Sequence, residues 1–143
     1  MFVEDRNESR EFFLRVWRRM QAGEALEPLE QIIADVIAAH PEYHATLGAP
    51  AAAREAEFDG SDGRSNPFLH MGLHIALVEQ LQTDRPPGIR AAYQALMMAA
   101  GGDTHTVEHR IIDCLAHELW QAGQEGRGPD ALVYLDNVRR LAR

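Results

Sequence analysis

Apolar residues recur every three to four positions along almost the whole chain, and no run alternates apolar and polar residues as a half-buried strand would. The pattern predicts an all-α fold. A first helix over residues 7–21 turns Phe12, Phe13, Val16, Trp17 and Met20 inward and leaves Arg15, Arg18 and Arg19 to solvent. A second starts near Pro28, a residue suited to a first turn, and carries Leu29, Ile32, Ile33, Val36 and Ile37 toward His40. Pro41 disfavours helix at His40, which becomes a break or a new N-cap, with a short turn after it carrying His44. Residues 48–65 are rich in Ala, Gly and acids without apolar periodicity and read as a loop excursion. Asn66 and Pro67 pair a capping residue with a first-turn proline and open a helix to about Thr83. After the turn DRPPG at 84–88, Ile89, Tyr93, Leu96 and Met97 mark a helix that stops at Gly101 and Gly102. Asp103 or Thr104 caps another, to about Ala122. The last begins after Pro129 and Asp130, with Leu132, Val133, Leu135, Val138 and Leu141 inward. The expectation is a compact bundle of about six helices with a four-helix core, one domain over residues 1–143.

Three histidine pairs interrupt this pattern at one spacing: His40/His44, His70/His74 and His105/His109. Four residues place two imidazoles on one helical face, and seven histidines scattered at random would give about 0.3 such pairs. On a helical wheel His70 and His74 continue the seam of Leu77 and Leu81, and His105 and His109 that of Ile112, Ala116 and Leu119. Inward imidazoles cannot all carry a proton, since desolvation and mutual repulsion oppose it, and a bound cation resolves the conflict. Neutral imidazole is the commonest metal ligand, and helical bundles build such sites from facing helices. Glu108 adds a carboxylate within reach of the same face, and Asp113 is a second acceptor. His117 falls off its seam, Glu79 and Glu118 read as solvated, and Trp17, Trp120 and Tyr134 as core or rim packing.

Composition narrows the function classes. The 22 acidic against 14 basic side chains give a net charge of −8 with no basic block, so a nucleic-acid backbone would be repelled. The start, MFVEDRNESREFF, is acidic where a secretory signal would be basic, and no apolar run approaches the roughly 20 residues a membrane span needs. A cytoplasmic protein is expected. The one cysteine, Cys114, lies among apolar neighbours and reads as a small core residue rather than a nucleophile. Phosphate loops, nucleophile elbows and paired-cysteine zinc motifs are absent from the sequence.

In the segments HPEYH (40–44), NPFLHMGLH (66–74), EHRIIDCLAHELW (108–120) and PDALVYL (129–135), the chain resembles the domain-of-unknown-function 1841 family of proteobacteria. The resemblance spans nearly the whole chain and implies a small helical protein without an established activity. A looser similarity is to hemerythrin-like and damage-inducible bundles, which set histidines and carboxylates around one or two metal ions. Here Pro41 interrupts the first pair and Glu108 sits inside the third, a departure from that motif order.

The sequence thus points to a histidine-rich metal site built chiefly from His70, His74, His105 and His109, with His40, His44 and Glu108 as secondary ligands. Iron, zinc, manganese and nickel all suit imidazole with carboxylate. A ligand-free position would open hydrolytic or oxygen chemistry, with Glu108 or Asp113 as proton acceptor. The rival reading is a metal-free acidic adaptor with a buried histidine network, whose loop 48–65 docks a partner. A third makes the cluster a pH sensor. Leftover Leu, Met and Trp side chains leave a homodimer face open as well.

Overall fold

The computed structural model describes residues 6–58 and 66–143. Among these, eight α-helices and no strand occur: α1 Arg6–Ala22, α2 Pro28–Ala38, α3 His44–Leu47, α4 Pro50–Glu55, α5 Pro67–Thr83, α6 Ile89–Ala99, α7 Thr104–Glu125 and α8 Ala131–Arg140. A 3₁₀ turn over Pro41–Tyr43 precedes α3. The six long helices and their starts follow the hydrophobic pattern. The fold divides into two compact units, Met1–Ile75 and Ala76–Arg143, with α5 running from the first into the second.

The first unit has its core at Phe13, Leu14, Val16, Ile33, Val36, Ile37, Leu47 and Phe68, the apolar stripes of α1 and α2 together with α3 and the start of α5. Glu30 ties α1 to α2. Its Oε1 accepts from the Glu27 backbone N–H at 2.9 Å, and both its oxygens accept from Arg19 at 2.9 Å. Arg19, expected in solvent, is therefore half-buried by its partner. Leu29, expected inward, is 39% exposed.

Part of the expected loop is helix. Pro50 starts α4, the run AAARE continues it, and Ala53 is buried. What holds so short a helix is Arg10 of α1, itself only 2% exposed, whose Nη1 donates to the carbonyls of Ala53 at 2.9 Å, Arg54 at 3.2 Å and Ala56 at 2.9 Å. Those are the orphan carbonyls of the α4 C-terminus. The guanidinium also lies 5.5 Å from the Phe58 ring and 5.1 Å from the Phe68 ring. The remainder of that segment, 59–65, lies outside the described residues.

In the second unit, Ile89, Leu96, Val107, Ile111, Ile112, Tyr134, Leu135 and Val138 are buried. Three expectations fail here. In α8 the N-cap Asp130, which accepts from the Leu132 and Val133 amides, sets a register that turns Tyr134, Leu135 and Val138 inward. Leu132 and Val133 are left 76% and 43% exposed. Glu118, expected on a solvated face, is 2% exposed because Arg127 grips both its oxygens, at 2.7 and 3.3 Å, and the Asp130 amide donates to it at 2.7 Å. Cys114 is half-buried rather than core. It opens on a groove of about 450 Å³ between α7 and α8, flanked by Arg110, His117 and Arg140. Burial, and secondarily the Asp113 charge, push its thiol pKa up, away from nucleophilic use. Among the described residues no helix is long and apolar enough to cross a membrane.

Candidate metal centre

The buried stripe of α2 ends where Pro41 forbids another helical turn, and the terminal carbonyls of the helix need donors. Two histidines supply them. His40, 4% exposed and outside any helix at φ −125° and ψ 65°, donates from Nδ1 to the Val36 carbonyl at 2.7 Å. That tautomer leaves Nε2 as the ring nitrogen carrying the lone pair. His44 donates from Nε2 to the Ile37 carbonyl at 2.9 Å and packs its ring 4.7 Å from that of Trp17.

On α5, the Asn66 side chain accepts from the Phe68 amide at 2.9 Å and the Leu69 amide at 3.2 Å, and Pro67 occupies the first turn, as expected. The capped start places His70 and His74 one turn apart. Their rings are 4.8 Å apart at 73°, and their Nε2 atoms are 3.1 Å apart. Buried Phe68, Met71, Leu73, Ile75 and Leu77 surround these positions on the helix, so α5 is apolar on nearly every side rather than along one seam.

The His40 ring lies 5.1 Å from that of His70 and 4.5 Å from that of His74. One ring nitrogen from each of the three lies within 4.8 Å of the others. Two nitrogens bound to one ion at about 2.0–2.1 Å with tetrahedral angles would be about 3.3 Å apart. The His70–His74 separation is already close to that value. Tyr43, a residue that the sequence reading did not single out, stacks on His40 with centroids 5.5 Å apart and planes 3° apart, and meets His70 edge-on at 6.1 Å. Its signal in the sequence is only its position, three residues after His40 across a proline turn.

His44 is committed to the end of α2. His105, His109 and Glu108 lie on α7 in the second unit, behind an N-cap in which Asp103 accepts from the Thr106 amide at 3.2 Å. His105 is exposed, His109 and Glu108 are half-buried, and the His109 Nδ1 donates to the His105 carbonyl at 2.8 Å with the rings 4.2 Å apart. Burial, then the Glu108 charge, raises the Tyr93 phenol pKa. Asp113 and His117 are exposed.

Imidazoles from the end of α2 and the first half of α5 form the site, in a protein that is all-helical among its described residues. Residues 5–140 match the family described as "Domain of unknown function (DUF1841)", and the chain belongs to that family. The looser similarity to hemerythrin-like bundles has no support in that match. No curated protein and no solved structure matches the chain.

Proposed function

We propose that the protein binds a divalent transition metal through His40, His70 and His74. The observation that carries the reading is the convergence of one ring nitrogen from each residue within 4.8 Å. Two of the three rings are buried, so an ion there would be largely shielded from water. The all-imidazole donor set suits zinc, iron or nickel; manganese, which prefers oxygen donors, ranks last of the four expected metals. The His40 bond to the Val36 carbonyl is the kind of outer support that fixes the tautomer of a ligating histidine.

Elemental analysis of untagged purified protein tests this, beside a His70→Ala/His74→Ala variant. The expected result is close to one transition-metal ion per chain, lost in the variant. A wild-type protein that carries no such metal and takes up none of the four on titration overturns the reading. Single alanine variants of His44, His105, His109 and Glu108 decide whether any of them also ligates.

The metal-free adaptor keeps support from one feature. The bonds His40 to Val36 and His70 to His74 are also what a buried polar network would make. Under that reading a chelator leaves the melting temperature unchanged.

A further inference from the structure

Resting on the metal reading above, we propose that Tyr43 is a positioning residue of the centre, setting the plane of the His40 ring and backing His70. The three ligands are not held alike. His70 and His74 stand inside α5, where the preceding turn limits their rotamers and the helix itself sets their directions. His40 stands between α2 and the 3₁₀ turn, with no helix around it. Its Nδ1 bond to the Val36 carbonyl tethers one edge of the ring, and a hydrogen bond tolerates some tilting of the ring plane.

A second constraint has to act on the ring face, and Tyr43 supplies it. The two planes are 3° from parallel at 5.5 Å between centroids. The same tyrosine meets the His70 ring at 74° and 6.1 Å, so one half-buried side chain is a wall for two ligands on different elements. The backbone makes the contact short-range. Pro41 starts the 3₁₀ turn, and its Tyr43 amide donates to the His40 carbonyl at 3.0 Å, which folds residue 43 back over residue 40. Both contacts are made by the ring of Tyr43.

Cobalt(II) titration of the untagged full chain, followed by its visible ligand-field bands, tests the assignment. Tyr43→Phe keeps the ring and is expected to bind within about threefold of wild type with the same spectrum. Tyr43→Ala and Tyr43→Leu are expected to lose about 10–100-fold in affinity, the usual effect of removing an outer support of a metal ligand, and to shift the bands toward a site with fewer nitrogen donors. His40→Ala should give the same shifted spectrum. Binding by Tyr43→Leu at wild-type strength with unchanged bands overturns the proposal while leaving the metal site intact. A Tyr43→Phe variant as weak as Tyr43→Ala also overturns it, because the hydroxyl and not the ring would then be acting. If Tyr43→Ala fails to fold by circular dichroism, Tyr43→Leu decides. Wild-type protein that binds neither cobalt nor zinc removes the reading beneath, a result distinct from any difference among the variants.

Discussion

Glu118 in the second unit and the histidine cluster of the first are buried in opposite ways. In the second, Glu118 is a carboxylate at 2% exposure with every strong demand met: a bidentate Arg127 and the Asp130 amide, three donors that join the end of α7 to the start of α8. In the first, His40 and His74 are buried at 4% and 6% exposure, but much of what surrounds them is other rings. A charge closed off by its counter-ion and a backbone donor is bound to one structure and does nothing else. A group of imidazoles set face to edge brings ring nitrogens into a small shared space, where an ion would be held under the proposed function. The first unit also contains the structural kind, in Arg10, so the contrast lies in the chemistry of each site and not in which unit holds it.

Substitutions can separate the two kinds. The largest expected loss is at Phe13, fully buried in the first unit, where Phe13→Ala should cost about 3–5 kcal/mol in denaturant unfolding. Arg10→Met keeps the apolar stem but removes the donors to three carbonyls, and should cost about 3 kcal/mol, with faster proteolysis around α4. Metal removal comes next under the proposed function. A chelator should lower the melting temperature of wild type but not of His70→Ala/His74→Ala, by an amount equivalent to about 2.7 kcal/mol where free metal had stood at a hundred times its dissociation constant.

Glu118→Gln should lower stability while leaving metal content unchanged, which is the sharpest form of the comparison. The Arg127 hydrogen bond, then the Asp130 amide, holds the Glu118 carboxyl below its ordinary value of 4.5. A depressed folded-state value means that this stabilisation is complete above about pH 4.5 and is lost as pH falls through the folded value. Acid unfolding curves of wild type and Glu118→Gln should therefore converge at low pH; parallel curves would show that the pair contributes nothing there. The smallest effects belong to α8. Tyr134→Phe removes the bond to Gln80 at 2.7 Å and should cost about 1 kcal/mol, whereas Leu132→Ala, at a side chain expected to be core but found exposed, should stay within about 0.5 kcal/mol.

The sequence by itself determined whatever depends on neighbours a few residues away. Helix starts at Pro28, Asn66-Pro67, Asp103 and Asp130 were legible because caps and first-turn prolines act within one turn. The break at His40 was legible because proline restricts the residue before it. Four-residue spacing likewise identified His70 and His74 as neighbours. Within the first unit, packing between elements brings His40, a secondary candidate from the sequence, to the pair on α5, whereas its partner in spacing, His44, closes the end of α2. The tertiary structure also decided that α4 is a helix, since its stabilising donor comes from Arg10 more than forty residues earlier. Glu118 was hidden for the same reason: a charged residue looks solvated until a distant Arg127 and a backbone amide are brought to it, and helical periodicity contains no term for such partners.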